Sequence, residues 1–504
     1  MAASSGPTPE FGSEIVIGLV AAIGTDLDAP QAALTDQLRA FGYAVQPLRL
    51  SALAEPEAIR LGVELKDSPE CERIRSHMRA GNRLRAHFSR DDWLALHALA
   101  VINSARGEGG APKAPAKTAY MVRSLKHPRE VETLRQTYGP GFFLVAVYSS
   151  ERERFEYLTK TKGCTEDQAR ELIRIDLEEE DDPHGQRTRR TFALADVFID
   201  RDSPSFDQKL REFLRLAFGH PFITPEPDEY AMFLAFAASL RSASLGRQVG
   251  AVITHPAGDV VATGCNDVPR PEGGLYWPGP RDERDHVREF DSNDRRRDEM
   301  VADVFRRLAD AGNLKEGTTS EAVRAALTRS ILHDVTEYGR AVHAEMEALL
   351  SCARNGISIA GGTLYTTTFP CHNCAKHIVD AGIKRVVYIE PYPKSRALDL
   401  HDDAISLEGD GKQPKVTFAP FMGIGPRRFV ELFSLELGPG RVIERKREGV
   451  IVKWDSNVAR LRAPMPLLDY LDREKAAATF FQTTIQAPAP TPIAPIPGGP
   501  RRTP

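Results

Sequence analysis

Four side chains in two short segments have the types and the spacing of a metal-dependent active site. His343 and Glu345 lie two positions apart, and Cys371 and Cys374 lie three positions apart after Pro370. Two thiolates and one imidazole supply three protein ligands for Zn²⁺ and leave a fourth tetrahedral position for water. Zinc lowers the pKa of its bound water, so a hydroxide nucleophile is available near neutral pH. Glu345 is predicted not to be a zinc ligand but to transfer protons to and from this water.

Two helices and a strand are predicted to position these side chains. The Cys-x-x-Cys spacing places both thiols on one face of a helix predicted over 371–381, and His343 opens a helix predicted over 341–355. Strand Thr363–Thr367 lies between the two helices. Helix N-termini carry a partial positive charge, so both helix starts favour thiolates and a bound hydroxide.

A structural zinc site is the alternative interpretation. His372 or His377 would then be the fourth ligand. A structural site needs neither Glu345 nor the proline before the first cysteine, so the sequence favours a catalytic site. Cys265 is left with two interpretations, a small buried residue at the end of a strand or a ligand of an additional structural zinc ion.

The order His-x-Glu and then Pro-Cys-x-x-Cys resembles the signature of the zinc nucleobase deaminases. Residues 229–400 resemble, more narrowly, the deoxycytidylate deaminase family within the cytidine deaminase-like fold. The segments that carry this resemblance are Ser239–Arg241, Arg247–Ile253, Gly264–Pro269 and Thr363–Thr367. The resemblance implies an α/β/α sandwich, Zn²⁺ as the cofactor and a deoxycytidine nucleotide as the substrate.

The same resemblance implies contacts to the substrate. Asn266 would hydrogen-bond the sugar, and the backbone amide of Ala344 would hold the 2-oxo group of the pyrimidine. Cys265 and Asp267 stand where Tyr and Gly are usual in the turn around Asn266, so this turn departs from the family pattern.

Two cationic residues follow the last clear strand of this region. Lys394 and Arg396 come just after strand Arg385–Ile389, at the carboxyl edge of the predicted sheet, where ligands bind. Lys394 is therefore a candidate for binding substrate phosphates, which would favour a nucleotide over a free nucleoside. A solvated surface cluster is the alternative.

The amino-terminal half alternates short apolar runs with segments of helical length, which predicts a parallel sheet with helices on both faces. The predicted strands are Ile15–Val20, Ala44–Leu50, Ala119–Val122, Phe142–Tyr148 and Val197–Ile199, and the predicted helices are Pro30–Phe41, Leu84–Ser104, Glu130–Tyr138, Thr165–Ile175 and Phe206–Ala217. The predicted fold class is therefore α/β, with a P-loop NTPase-like parallel-sheet domain preceding the deaminase-like sandwich.

The turn after the first strand has the layout of a P-loop but not its residues. A working loop reads Gly-x-x-x-x-Gly-Lys-Ser/Thr. With Gly24 inside the loop, the phosphate-pairing lysine is missing, and Asp26 and Asp28 would repel a triphosphate. Kinase chemistry is therefore not expected. A plain turn and a nucleotide-sensing pocket at Gly24, Thr25 and Asp26 both stay open.

The combination of the two halves has a resemblance of its own. Over residues 14–440 the chain is similar to the bacterial anti-phage dCTP deaminases, in which a degenerate P-loop domain is fused to a deaminase. The further segments that carry it are Arg123–Pro128, Gly139–Phe143, Gln186–Arg189 and Phe418–Arg428. This family implies conversion of dCTP, and often dCMP, to deoxyuridine nucleotides, which deprives an infecting phage of a DNA precursor. It also implies a homo-oligomer and control by a regulatory dNTP.

Composition divides the chain into five parts. The predicted parts are a disordered tail (1–13), a degenerate P-loop kinase-like domain (14–222), a zinc deaminase-like domain (223–440) with an insertion over about 268–318, a C-terminal extension (441–486) and a Pro-rich disordered tail (487–504). Two charged runs, 177–182 and 281–299, are predicted to be solvated, and a lid over the substrate is the alternative for the second.

Overall charge limits the classes of partner. The 504 residues carry 66 Lys and Arg against 70 Asp and Glu, a formal net charge of −4. No broad basic field is available for duplex nucleic acid, so no stable nucleic-acid partner is expected. The same balance argues against the alternative of an RNA or single-stranded DNA cytidine deaminase, which needs a basic channel. An inactive nucleotide-sensing module is the remaining alternative, and the intact four-residue constellation disfavours it.

Hydropathy and cysteine usage predict the compartment. No apolar run reaches the roughly 18–20 residues of a membrane span, and no export signal is recognised, so a cytoplasmic protein without a membrane partner is predicted. Six cysteines make no disulfide framework. Cys71, Cys164 and Cys352 are therefore predicted to be isolated packing residues.

Overall fold

The structure, a computed structural model, describes residues 14–106, 115–179, 182–327, 330, 338–392, 395–407, 414–436, 443–447, 450–463, 465 and 467–486. The tails predicted to be disordered, 1–13 and 487–504, lie outside the described residues, and so does Lys394.

A parallel sheet flanked by helices forms the amino-terminal half. Its elements are β1 (Ile15–Ala21), α1 (Asp28–Ala40), β2 (Ala44–Arg49), α2 (Leu50–Arg60), α3 (Glu70–Phe88), α4 (Trp93–Ser104), β3 (Thr118–Arg123), α5 (Pro128–Tyr138), β4 (Phe142–Tyr148), α6 (Glu151–Glu156), α7 (Glu166–Glu178), α8 (Thr188–Ala193), β5 (Val197–Asp200) and α9 (Phe206–Ala217). The strands lie in the order β5-β4-β1-β3-β2, and all five are parallel.

A mixed sheet forms the second half. Its elements are α10 (Pro227–Ser239), β6 (Gly250–Thr254), β7 (Val260–Cys265), α11 (Asp285–Arg288), α12 (Ser292–Asp310), α13 (Ser320–Leu327), α14 (Ala344–Asn355), β8 (Thr363–Thr368), α15 (His372–Asp380), β9 (Arg385–Glu390), α16 (Ala397–Leu400), β10 (Ile405–Ser406) and β11 (Val416–Pro420). The order is β10-β11-β9-β8-β6-β7. Strand β6 runs in the direction opposite to the other five strands.

The last segment of the chain returns to the first sheet. It contains β12 (Gly423–Ile424), α17 (Phe429–Phe433), β13 (Lys446–Arg447), β14 (Val450–Ile451) and α18 (Leu467–Gln486). Strand β12 pairs antiparallel with β5 and becomes the sixth strand of the amino-terminal sheet. The rings of Phe198 and Phe421 meet at 5.5 Å, so the two halves share one hydrophobic core.

Burial follows the position of each strand in its sheet. Every residue of β1 is buried, because this central strand of apolar sequence is covered by helices on both faces. Strand β2 lies at the sheet edge and is mostly exposed. A strand is therefore present where Ala44–Leu50 was predicted, but the prediction that it is buried was wrong. The α/β class with parallel sheets is confirmed.

Two other predictions for the amino-terminal half were wrong. The single helix predicted over Leu84–Ser104 is two helices, because Ser89 has a left-handed backbone with φ of 50° and ends α3 before α4 begins. Cys71 and Cys164 are not isolated but form a disulfide across 93 positions of sequence. Neither the pairing of two cysteines nor a left-handed backbone at one residue leaves a signal in the local periodicity of the sequence.

Within the part of the chain that the structure describes, no helix combines the length and the apolar composition that a membrane crossing requires.

Candidate active site

Strand direction brings distant segments of the second half to one edge of its sheet. Strands β7, β8 and β9 run the same way, and β6 runs against β7 and β8. The residues after β7, β8 and β9 and the residues before β6 must therefore meet. Asn266, Phe369, Tyr392 and Val249 occupy these positions, and all four line one cavity of about 160 Å³.

A close backbone contact places helix α14 against this edge. A Cβ atom added at Gly264 would lie 2.2 Å from the carbonyl oxygen of Ala344 and 2.6 Å from the amide nitrogen of Ala348. Only glycine lets β7 approach the first turn of α14 so closely. The start of the helix, with His343 as its N-cap, is thereby held beside Asn266.

The three predicted zinc ligands converge. The Nδ1 atom of His343 lies 3.3 Å from the Cys371 sulfur and 3.4 Å from the Cys374 sulfur. All three ligand atoms lie within 4.8 Å of one another. Cys371 is the N-cap of α15, so Pro370 stands one residue before the helix cap, and the helix starts one residue later than predicted.

The geometry of the cluster fits zinc. A tetrahedral ion with Zn–N of about 2.0–2.1 Å and Zn–S of about 2.3 Å separates nitrogen from sulfur by roughly 3.5 Å. The observed separations of 3.3 and 3.4 Å are close to this value. The pKa of Cys371 falls to about 4, first because the Cys374 thiol hydrogen-bonds to it, while burial opposes the shift. A thiolate is the form that binds zinc.

Glu345 lies beside the cluster without joining it. Its carboxyl is 4% exposed and accepts a hydrogen bond from the Cys374 thiol, with 3.6 Å between Oε2 and the sulfur. Burial raises the pKa of this carboxyl, and the charge of His343 acts against the rise. A buried acid next to a metal-binding cluster is suited to carrying a proton.

Asn266 and Ala344 both line the cavity, as their predicted contacts require. The Asn266 side chain is already used by backbone, since its Oδ1 accepts from the Val249 amide at 2.7 Å and its Nδ2 donates to the Arg247 carbonyl at 2.8 Å. The Oδ1 atom can still accept one further hydrogen bond, and the Nδ2 atom can still donate one. Asn266 therefore ties the end of β7 to the segment before β6 as well as facing the cavity.

Five cavity residues were missed in the sequence. They are Arg247, Val249, Thr368, Phe369 and Tyr392. The Arg247 guanidinium lies 5.3 Å from the centre of the Tyr392 ring, and its Nη1 is 3.4 Å from Glu390 Oε1. Two local signals were available, because Phe369 directly precedes Pro370 and Tyr392 follows strand Arg385–Ile389 at the carboxyl edge of the sheet.

The remaining ligand candidates stay outside the cluster. Cys265 is buried, and its sulfur accepts a hydrogen bond from Arg241 at 3.5 Å. His377 bonds the Asn373 carbonyl through Nδ1. Among the described residues, the one group of three or more ligand side chains is the His343, Cys371 and Cys374 cluster, so neither His372 nor His377 supplies a fourth ligand there.

The other predicted binding residues lie elsewhere. Lys394 is outside the described residues, and Arg396 is exposed and paired with Asp399 at 2.7 Å. Gly24 and Thr25 line a separate cavity in the amino-terminal half. Asp26 pairs with Arg201 at 3.2 Å. The two cavities have no lining residue in common.

One imidazole, two thiols and a buried carboxyl beside a cavity have the composition of a zinc site with an open fourth position. A family model described as "Cytidine and deoxycytidylate deaminase zinc-binding region" matches residues 225–390. The deoxycytidylate deaminase of Enterobacteria phage T2 is 45% identical over 80 residues, which are 16% of this chain and 42% of that protein. The deoxycytidylate deaminase of Mycobacterium phage D29 is 31% identical over 164 residues, 32% of this chain and 94% of that protein.

A solved structure, the dCMP deaminase from the cyanophage S-TIM5 in complex with dCMP and dUMP, is 21% identical with a TM-score of 0.23, over 40% of this chain and 99% of that one. The chain belongs to the cytidine and deoxycytidylate deaminase family, a family of hydrolytic deaminases whose cofactor is Zn²⁺. It spans 41–42% of the length of the first two curated relatives that it matches.

Proposed function

We propose that the chain removes the amino group of a deoxycytidine nucleotide, dCMP or dCTP or both, and releases the deoxyuridine nucleotide and ammonia. The observation that carries this proposal is the buried Glu345 carboxyl, which lies 3.6 Å from a sulfur of the three-ligand cluster at the wall of a cavity. The family match and the named activity of the phage T2 and D29 relatives support it.

The proposed roles of the residues follow from hydrolysis at C4 of cytosine. Bound zinc would supply a water molecule of lowered pKa, and His343, Cys371 and Cys374 would hold the ion. Glu345 accepts a proton from this water, passes it to N3 of the ring and later delivers a proton to the departing ammonia. Water and the aminopyrimidine are thereby converted to the oxopyrimidine and ammonia, with no further reactant.

The cavity wall orients the substrate in this proposal. The Ala344 amide, at the first turn of α14, donates to the 2-oxo group, and Asn266 bonds the sugar with the hydrogen-bonding position that it keeps. The Phe369 ring packs against the pyrimidine. Arg247 lies at the same wall as a cation for the phosphate, and Lys394 stays a proposed second cation.

A substrate panel tests the proposal. Zinc-loaded protein is incubated with dCMP, dCTP, deoxycytidine, and cytosine-containing RNA and single-stranded DNA oligonucleotides, and ammonia and the uracil product are both measured. We expect turnover of at least one deoxycytidine nucleotide. Turnover confined to the oligonucleotides would contradict the proposal and favour a polynucleotide deaminase. No turnover of any compound by fully zinc-loaded protein would favour an inactive nucleotide-sensing module.

We propose further that deamination depletes dCTP as an antiviral defence, by a cytoplasmic homo-oligomer that a dNTP regulates through residues 14–222. The loop at Gly24, Thr25 and Asp26 is the proposed place of this regulation, and residues 223–440 are the proposed deaminase domain. Cells that express the intact chain should lose dCTP after phage infection and release fewer phages. Equal dCTP pools and phage yields with the Glu345→Gln chain would contradict the antiviral role.

A further inference from the structure

A second cavity opens at the carboxyl ends of the strands in the amino-terminal sheet. It has a volume of about 480 Å³, and the last residues of β1, β2 and β3, namely Ala21, Arg49 and Arg123, contribute to its wall. The start of α3 closes another side. The carboxyl edge of a parallel sheet is where ligands bind in open α/β folds, and this volume is sufficient for a ligand of nucleotide size.

Positive side chains dominate this cavity. Its lining includes the five cations Arg49, Arg73, Arg123, Lys126 and Lys162, against the two carboxylates of Asp28 and Glu70. The wall therefore carries a positive excess, although the chain as a whole has a net charge of −4. Local accumulation of like charge in a concave site attracts anions.

The pairing of these cations shows which of them face the cavity unneutralised. Arg73 is paired with Glu70 at 2.7 Å, Lys162 lies 3.7 Å from the same carboxylate, and Arg123 is paired with Asp28 at 2.5 Å. Arg49 donates from Nε to the Ser51 hydroxyl at 3.1 Å, a contact that removes no charge. Burial lowers the pKa of Arg49, and the nearby charges of Arg73 and Arg123 lower it further. Arg49 is therefore the one of the three guanidinium groups that has no carboxylate partner among the described residues.

The loop after β1 is occupied by the protein itself. The buried Asp176 carboxylate accepts from the Ile23 amide at 2.8 Å and from Lys126 Nζ at 2.8 Å, and Lys126 also bonds the Ala21 carbonyl. A P-loop uses its amides and its lysine for phosphate. Here an internal carboxylate accepts from the Ile23 amide and from Lys126, so this amide and this lysine are already used by the protein itself.

We propose that this cavity binds a phosphate-bearing anion, a polyphosphate chain or the phosphates of a nucleotide, through Arg49, Arg73, Arg123 and Lys162 rather than through Lys126 and the Ile23 amide. The Thr25 hydroxyl, which lines the cavity and has its buried oxygen without a hydrogen-bond partner among the described residues, adds a neutral contact. The inference deepens the regulatory part of the proposed function, and deamination can fail or succeed independently of it.

Calorimetric titration of the full chain tests this site. The probes are sodium tripolyphosphate and a purine nucleoside triphosphate, which has no cytosine amino group to lose, and ionic strength is held constant because screening weakens such contacts. We expect one site per chain. The Arg49→Gln/Arg73→Gln double variant should weaken binding about tenfold or more, since each lost guanidinium removes charge-assisted hydrogen bonds.

Arg39→Gln is the matched control, because Arg39 lies on the exposed face of α1 and pairs with Asp36. It should bind like the unchanged chain, and circular dichroism should show that Arg49→Gln alone is folded and binds more weakly. Equal affinity for both probes would show that the phosphates alone are recognised. Tighter binding of the nucleotide would show that its base or sugar is recognised as well. The proposal is overturned if neither probe binds, or if the double variant and the control are affected alike.

Discussion

At the scale of single residues, burial controls the chemistry of the Glu345 carboxyl. This side chain is 4% exposed, and burial raises its pKa against the opposing charge of His343. A carboxyl with a raised pKa both accepts and releases a proton more readily near neutral pH than an exposed one does. The neighbouring Glu347 is also buried but is paired with Arg354 at 2.7 Å, away from the cavity.

Replacing Glu345 separates proton transfer from metal binding. Glu345→Gln keeps the size of the side chain but cannot carry the proton, so turnover should fall by about 10²–10⁴-fold. The zinc content should stay at that of the unchanged chain, since the carboxyl is not a ligand. Ammonia release and metal analysis measure the two effects. Glu347→Gln is the control, and comparable activity of the two variants would show that Glu345 is not the proton carrier.

Removing a thiol tests the metal cluster. Cys374→Ser should lose zinc and activity, because an alcohol is a far poorer zinc ligand than a thiolate. Cys352 is also buried, on the adjacent helix α14, and Cys352→Ser should retain zinc. Chelation of the unchanged chain should lower its activity and its melting temperature together, and added Zn²⁺ should restore both. Full zinc content in Cys374→Ser would contradict the ligand assignment.

The charge of Arg247 tests the choice between nucleotide and nucleoside. If this guanidinium meets the phosphate, Arg247→Gln should raise KM for the nucleotide substrate by roughly tenfold, which is the typical effect of one lost hydrogen bond to a charged group. Steady-state kinetics on deoxycytidine provides the internal control, since the nucleoside has no phosphate to lose. An equal loss with deoxycytidine would instead assign Arg247 a positioning role for the cavity wall.

At the scale of elements, the site depends on how closely β7 approaches α14. The strand end carries Asn266 and the helix start carries His343, and Gly264 lies where the two backbones meet. The same device recurs at Gly250, where a Cβ would lie 1.8 Å from the Ala235 carbonyl of α10. On both faces of this sheet, a glycine in a strand therefore allows a helix to pack closely against it.

Adding one methyl group at this contact should disturb the site. In Gly264→Ala the new Cβ meets the Ala344 carbonyl, and helix α14 must move or the strand must bend, which costs about 1–3 kcal/mol of the free energy of unfolding. Activity should fall with it. Gly246→Ala is the control, because nothing lies within 4 Å of its added Cβ. Denaturant unfolding and ammonia release should respond only to the first variant.

At the scale of the whole molecule, the two ends of the described chain are joined by a buried ionic network. The Arg106 side chain, 1% exposed, bonds Glu14 just before β1 at 2.9 Å and Glu474 on α18 at 2.7 Å. The Tyr138 hydroxyl donates to Glu474 at 2.7 Å, and Tyr470 donates to Glu14. Helix α18 is thereby attached to the amino-terminal sheet.

Breaking this network should release α18. Arg106→Met leaves two buried carboxyls without their cation, which costs about 3–5 kcal/mol. Lys475 is exposed on the same helix, and Lys475→Ala should cost less than about 1 kcal/mol. Denaturant unfolding measures the difference, and limited proteolysis should cut near residue 465 sooner in Arg106→Met. Equal stability of the two variants would show that the network contributes little.

The sequence was sufficient for the parts of the site that depend on short spacings. His343 and Glu345 are two positions apart, and the two cysteines are three apart, so one turn of helix decides how each pair is presented. Helix and strand bounds near the cluster were correct within a few residues for the same reason. The helix over Leu84–Ser104 was predicted wrongly because the left-handed Ser89 carries no periodic signal.

The tertiary structure decided whatever depends on strand order and long-range contact. Arg247 and Tyr392 are 145 positions apart in sequence and share the cavity wall because β6 and β9 both border β8. The Cys71–Cys164 disulfide and the return of β12 to the first sheet have the same origin. Local patterns specify elements and near neighbours, whereas hydrogen bonding between strands selects which distant segments meet, and composition alone contains no record of that choice.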